Sequence, residues 1–417
     1  MQPLPAGRRP WAGLIALSLD QLVAWGVLYY SYSVLAVPIA RDLGLASSTV
    51  AAAFSGSLLV SALLARRVGR LLDRGGAQPV LLCGAVVALL ALGGLASVRG
   101  VLPLLLVFAG LGVAQALSLY EPAFRAVVDW FPRARQRSQA LLVVTSVAGF
   151  ASTLFLPLIA FLLAGFGWRS AVLILAAIAA FVTLPVRLWL LRRVPRSRAA
   201  ESTSSVLAGA PAARLLGAGF ALQAFAATGA TVCLVWQLVE RGETLEAAAA
   251  LAGLAGAAQV PGRLLLSPLS SVLPTQIRLP ALLVAQAGAL VGIAVFSGSA
   301  LVVAVMIFGA AAGVMTLERA KVVVEWFGRE RFGAGSGLLA FAASLARAGA
   351  PFAVELVHGS TSYAGVFALL SGCLLLGSAM LAVATRFRPP TNEAKPLEAE
   401  QYQRLGLNFW KIRRKPC

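Results

Sequence analysis

The chain has 417 residues, 59% of them hydrophobic and only 12% charged, with a mean hydropathy of +0.85. Soluble proteins carry about a quarter charged residues, so a soluble fold is excluded and a chain that threads a bilayer repeatedly is expected. A net charge of +19 and a pI of 11.2 would suggest nucleic-acid binding in a soluble protein, and the placement of those charges decides whether it does here.

In chain order, apolar runs cover residues 14–39, 49–65, 80–98, 101–128, 140–166, 171–191, 213–239, 245–261, 279–296, 300–324, 335–357 and 364–385. Each is long enough to cross a hydrocarbon core of ~30 Å, so twelve transmembrane helices are expected. The first run is far longer than the about 7 to 15 residues of a signal-peptide core and reads as a retained helix. Of the 35 Lys and Arg, thirty fall on one side of this zigzag, four (Arg41, Arg99, Arg169 and Arg241) on the other, and only Arg347 well inside a run. Basic residues concentrate on the cytoplasmic side. Both termini are therefore expected in the cytoplasm, the basic pI is topology, and nucleic acid is excluded as a partner. Arg outnumbers Lys thirty-one to four beside heavy use of Ala, Gly and Leu, which suggests a GC-rich bacterial genome and so the bacterial inner membrane.

Between the sixth and seventh runs, "RRVPRSRAAESTSSVLAGAPA" (residues 192–212) is polar and aperiodic and reads as a linker. On either side of it, "LYEPAFRAVVDWF" from Leu119 aligns without gaps with "MTLERAKVVVEWF" from Met315, which sets Arg125 on Lys321, Asp129 on Glu325, Trp130 on Trp326 and Phe131 on Phe327. A weaker echo pairs "GRLLDRGG" from Gly69 with "GRLLLSPL" from Gly262. Repeated halves of this kind build many secondary transporters. The expected organisation is a six-helix bundle over residues 1–191, a cytoplasmic linker over 192–212, a second six-helix bundle over 213–386 and a cytoplasmic tail over 387–417.

With these repeats, and above all with "GRLLDRGGAQPVL" between the second and third runs, the chain resembles the major facilitator superfamily. Gly69, Leu71, Asp73, Arg74, Gly76 and Leu81 match that family's loop pattern, while Ala77 and Gln78 stand where it has two basic residues. The resemblance implies an all-α membrane fold of twelve helices in two pseudo-symmetric six-helix bundles, transport by alternating access, and a cytoplasmic gating motif of Gly69, Asp73, Arg74 and Gly76 with Arg125 and Arg133. Glycines at 69 and 76 allow a tight reversal, and Asp73 can pair with an arginine such as Arg125 or Arg133; the bland alternative is a solvated loop carboxylate. "WGVLYYSYSVLAVPIARDLG" and "WFPRARQRSQALLVVTSVAGFAS" also look like bacterial relatives of monocarboxylate and oxalate/formate carriers.

A charge at mid-membrane costs roughly 2.5 to 3.5 kcal/mol on insertion scales, so Asp20, Glu121, Glu318 and Arg347 each need a partner or a task. At about 1.5 Å per residue, Glu121 lies roughly 13 Å inside Trp130. Glu318 reaches nearly the same depth before Trp326, one position out of register and so about 100° round the helix. The three acids are candidate proton carriers, and Arg347 a candidate to hold an anionic substrate or a carboxylate. The structural alternatives are an i,i+4 pair of Glu121 with Arg125, neutralisation of Glu318 by Arg319 or Lys321, and a hydrogen bond from Gln21 or another helix to Asp20. First helices of each half usually line the cavity in the family resembled, which makes Trp25, Tyr29, Tyr30, Gln223 and Gln237 cavity candidates.

The expected function is carriage of a small solute, foremost a small organic anion, coupled to protons, by a monomer in the lipid bilayer. Efflux of a hydrophobic drug or metalloid is the rival, and a membrane-embedded enzyme or sensor the alternative of another class. No P-loop, H-E-x-x-H or G-x-S-x-G stands in the sequence, and Cys83, Cys233, Cys373 and Cys417 lack metal-ligand spacing. Neither enzymatic activity nor a cofactor or metal is expected.

Overall fold

A computed structural model describes residues 9–131, 133–191, 211–266, 273–327 and 332–387; nearly all of the expected linker and tail lies outside them. The first crossing is α1 (Arg9–Trp25), a π-helical turn (Gly26–Tyr30) and α2 (Ser31–Leu43). Then come α3 (Ser47–Gly75), α4 (Ala77–Ala96), the broken pair α5 (Val101–Ser118) and α6 (Tyr120–Trp130), α7 (Ala134–Gly149) and α8 (Ala151–Leu191). The other half holds α9 (Pro211–Glu240), α10 (Leu245–Leu266), α11 (Thr275–Val295), α12 (Gly298–Phe327), α13 (Phe332–His358) and α14 (Tyr363–Arg386). Among the described residues nine stretches are long and apolar enough to cross a membrane. One of them, Gln139–Leu188, is 50 residues long and breaks at Gly167, whose φ of 73° no helix tolerates, so it supplies the fifth and sixth crossings. The expected eighth and eleventh correspond to α10 and α13.

The segment "GRLLDRG" is not the loop that was expected. It forms the last turns of α3, and the reversal into α4 rests on Gly76 alone, with φ 79° and its N–H on the Leu72 carbonyl at 2.9 Å. Gly69 sits inside the helix with nothing within 4 Å of where a Cβ would stand.

The halves meet where α3 packs on α13 and α8 on α10, with α2 touching α9. In lipid no hydrophobic force drives helices together, so close van der Waals approach over small residues does the work. Gly253 and Gly256 of α10 lie on Thr153 and Ser152 of α8. Within the second half Gly309 of α12 lies on α10, and a Cβ there would stand 2.0 Å from the Ala255 carbonyl oxygen. Hydrogen bonds cross between the halves from Ser33 Oγ to the Thr231 carbonyl (3.2 Å), from the Phe352 N–H to Ser55 Oγ (3.0 Å) and from Thr153 Oγ1 to the Gly253 carbonyl (2.8 Å). The first two lie toward the end of the bundle away from the chain termini.

Inside each half a buried ion pair fixes neighbouring helices. Asp20 of α1 is fully buried and receives Arg187 Nε at 2.7 Å and Nη2 at 3.2 Å. Arg187 Nη1 also donates to the Leu81 carbonyl (2.7 Å) and Ser118 Oγ (3.0 Å), so α8 is tied to α1, α4 and α5 at once. Gln21 Nε2 reaches Asp20 Oδ2 (3.2 Å) and the Ser118 carbonyl (2.8 Å). That carbonyl is available because Pro122, four residues on, has no N–H to offer it. In the second half Arg278 of α11 donates to Glu318 of α12 at 2.6 Å.

Two outcomes follow for stability. Arg187→Met strands a buried carboxylate and is expected to cost about 3 to 5 kcal/mol, whereas Asp20→Asn combined with Arg187→Met recovers most of that loss; thermal melting in detergent reads both, and equal losses would show that the pair is not what holds α8. Gly309→Val overpacks a backbone contact and is expected to cost about 1 to 3 kcal/mol, while Gly288→Val, where the Cβ meets open space, leaves the melting temperature nearly unchanged.

Candidate functional site: a charged centre between the halves

The first crossing is interrupted at mid-length. Its π-helical turn carries one extra residue per turn, a feature concentrated at functional sites, and Gln115 Nε2 satisfies the displaced Leu28 carbonyl at 2.9 Å. Gly26 opens the turn because the Phe155 ring occupies the place of its side chain; a Cβ would stand 2.2 Å from that ring. The turn aims Tyr29 across the interface at Thr228 and Arg347, and Tyr30 at Ser152 and Arg263. Trp25 lies 5.3 Å from Tyr29, 6.4 Å from Tyr30 and 4.7 Å from Tyr120, ring centroid to centroid, which completes an aromatic wall from α1, the turn and α6. The Trp25 indole N–H is buried and has no hydrogen-bond partner among the described residues.

Opposite this wall the second half supplies cations. Arg263 of α10 is buried and spends its donors on the Gly313 carbonyl (3.2 Å), Gln259 Oε1 (3.2 Å) and, across the interface, the Thr145 carbonyl of α7 (2.9 Å). Arg319 of α12 and Arg347 of α13 are half-buried, lie within each other's electrostatic reach, and among the described residues take part in no hydrogen bond or ion pair. Pro351, four residues beyond Arg347, also deprives the Arg347 carbonyl of its usual helical donor.

The break between α5 and α6 falls at Leu119, in extended geometry, and puts Glu121 in the first turn of α6. Glu121 is exposed and lies within electrostatic reach of Arg319 in the other half. It does not pair with Arg125, which turns instead to Asp73 (2.8 Å) and Asp129 (3.2 Å). The ion pair expected of Asp73 thus forms with Arg125, and Arg74 and Arg133 stand exposed.

Asp20 and Glu318 are taken up by Arg187 and Arg278 within their own halves. Gln223 reaches Gln286 at 3.4 Å, and Gln237 is buried in α9. Between the halves lies a cavity of about 40 Å³, lined among others by Tyr30, Ser152, Thr231, Gly256, Gln259 and Phe308. A water needs about 10 to 15 Å³ measured this way, so in this conformation the cavity has room for a few waters and for no organic solute. Four residues of the interior had been counted at its edge by sequence: Arg187, Arg263, Arg278 and Arg319. Arg319 had a visible signal, since it directly follows Glu318 in the repeated segment.

The comparisons with known proteins agree with this architecture. A mouse protein, monocarboxylate transporter 11, is 34% identical over 199 residues, which are 44% of this chain and 41% of the mouse protein, so the chain spans about two-fifths of that relative's length. Among solved structures, a bacterial homologue of the human lysosomal transporter Spinster, inward-facing and occupied, superposes with a TM-score of 0.73 at 16% identity over 92% of this chain and 98% of that one. A variant of the nucleoside transporter NupG gives 0.73 at 13% identity over 90% and 100%. At such identities these two establish the fold alone. The family model described as Major Facilitator Superfamily matches residues 21–317, and the chain belongs to that superfamily.

Proposed function

We propose that the protein is a secondary carrier that moves a small organic anion across the bacterial inner membrane by alternating access, in step with protons and without enzymatic turnover. The observation that carries this reading is the pair Arg319 and Arg347: two guanidinium groups, mutually repelling and half-withdrawn from solvent, with no bonded counter-charge among the described residues. Like charges brought close in a medium of low dielectric raise each other's energy, and an anion between them removes that cost. A guanidinium fork matches a carboxylate in two parallel hydrogen bonds. The buried, unsatisfied Trp25 indole N–H is a further donor, and the wall of Trp25, Tyr29, Tyr30 and Tyr120 suits the apolar body of such a solute. The name of the mouse relative, a monocarboxylate transporter, supports the same class.

In this reading residues 1–191 and 213–386 are the moving bodies, both chain termini are cytoplasmic, and the Asp73–Arg125 pair belongs to the cytoplasmic latch. Among the three acids Glu121 is the proton carrier, since Asp20 and Glu318 hold buried arginines inside their own halves.

Counterflow of labelled acetate, lactate and benzoate into liposomes containing the purified protein tests this. Accumulation of at least one is expected, with Arg347→Gln losing about tenfold or more in affinity, the scale of about 1.4 kcal/mol for one lost charged contact. Counterflow that survives Arg347→Gln unchanged would remove the anion site. Movement of an apolar cation in place of any carboxylate favours the efflux alternative, and chemical turnover without counterflow favours an enzyme.

A further inference from the structure

We propose that His358, the only histidine of the chain, is a pH-sensitive clasp on the outer face: charged, it holds the outer ends of α9, α13 and α14 together and keeps the carrier shut to the outside; neutral, it releases them. The inference takes from the reading above the alternating-access cycle and the cytoplasmic termini, and does not depend on what the solute is.

Three helices converge on this imidazole at the end of the bundle away from the chain termini. His358 sits in the last turn of α13, where the helix dipole favours a cation. Its Nε2 lies 2.8 Å from Glu240 Oε1 at the end of α9, and its Nδ1 lies 3.9 Å from Glu355 Oε2, one turn back on α13. The ring stacks on Tyr363 at the start of α14, with centroids 3.8 Å apart and planes 13° from parallel, and the Tyr363 hydroxyl donates to Glu355 Oε1 at 3.2 Å. The side chains of His358 and Glu240 keep 27% and 47% of their surface exposed, so protons of the outer solution reach the cluster. No further charge comes from the elements around it. Tyr32 of α2 and Cys233 of α9, which face Glu355, are of types that are neutral near pH 7, and Arg241, next to Glu240, donates instead to the Ile293 and Phe296 carbonyls at the end of α11.

An imidazole changes charge between about pH 5 and pH 8. Charged, it stands between the Glu240 and Glu355 carboxylates and attracts both, and the group of three carries one net negative charge. Neutral, it leaves two carboxylates facing each other across a ring, which pushes α9 and α13 apart. These two helices carry the hydrogen bonds that cross between the halves at this end, from Ser33 Oγ to the Thr231 carbonyl of α9 and from the Phe352 N–H of α13 to Ser55 Oγ. Clasped, the two bonds give way only together; released, each breaks alone. Acid on the outer side therefore holds that end shut, and the hold is lost as pH rises through the range of an imidazole.

The experiment is a distance measurement by pulsed electron resonance on the full chain in lipid nanodiscs, at about pH 5.5 and about pH 7.5, which span the range of an imidazole. Nitroxide labels are carried on keto amino acids at Ala46 and Ser297, exposed positions at the outer ends of the first and second halves. One linked proton changes the ratio of open to closed populations by at most about tenfold per pH unit. The wild-type protein is expected to show a longer, open distance whose share relative to the closed one rises by about tenfold between the two pH values. His358→Gln, which cannot take a charge, is expected to show the larger open share at both, and His358→Lys, which keeps one, the smaller share at both. Glu240→Gln removes the repulsion and is expected to lose most of the shift. A wild-type shift retained in His358→Gln overturns the clasp, and so does one retained in His358→Lys, which decides the matter alone if His358→Gln fails to fold. One unchanging distance in the wild-type protein and in every variant overturns the clasp and the rocking of the halves together. Failure of counterflow with every carboxylate, beside a pH-dependent opening that needs His358, removes the anion reading and leaves the clasp standing.

Discussion

An ionised side chain cannot rest in hydrocarbon unless something compensates it, and among the described residues this constraint separates interior charges satisfied within one half from those that look across to the other. Asp20 with Arg187, Glu318 with Arg278, and Arg125 with Asp73 and Asp129 are satisfied inside one half. Such pairs need no contact with the other half to be satisfied. Glu121, Arg319 and Arg347 are of the other kind, contributed from both halves and left with electrostatic neighbours but no bond. Arg263 also looks across the interface, through its bond to the Thr145 carbonyl, but its donors are already spent.

The backbone is irregular where the second kind of charge is placed. The π-helical turn at Gly26–Tyr30 turns two tyrosines toward the other half, the break at Leu119 starts a new helix at Glu121, and Pro351 loosens the turn that carries Arg347. Beside it the contacts between the halves are of small residues on backbone, as at Gly253 and Gly256 against Thr153 and Ser152. Small residues there let the backbones of the two halves approach closely.

Much of the fold was legible in the sequence, because apolar length and the asymmetry of Arg and Lys are direct consequences of the bilayer. The fifth and sixth crossings separate at Gly167, inside the expected interval between residues 166 and 171. The site was legible only in part. Arg347 stood out through isolation in an apolar run, and Asp73 through its motif. Arg187, Arg263 and Arg278 were hidden by the rule that located the spans: an arginine near a cytoplasmic helix end reads as a topology signal, and nothing local distinguishes one that snorkels to the surface from one turned inward to a partner on another helix. The partner of Asp20 lies 167 positions away, a distance no sequence period reports. For the same reason the i,i+4 pairing of Glu121 and Arg125 failed. Arg125 had an equally spaced acid on its other side, Asp129, and a third in Asp73, and only the packing of α3 against α6 chooses among them.

The offset of one residue between the repeated fourth helices gains its meaning from that packing. In the gapless alignment Glu121 falls on Leu317, and Glu318 falls on Pro122. Had the two acids been in register, two carboxylates would have faced the same space from opposite sides, and one of them would have stayed protonated merely to avoid the other. Displaced by one position, about 100° round the helix, Glu318 turns into its own half to meet Arg278, and the side chain that answers Glu121 across the gap is the arginine next to it. Duplication supplied two equivalent helices at one depth. The shift of a single residue therefore sets an acid against a base across the gap, where exact register would have set two acids.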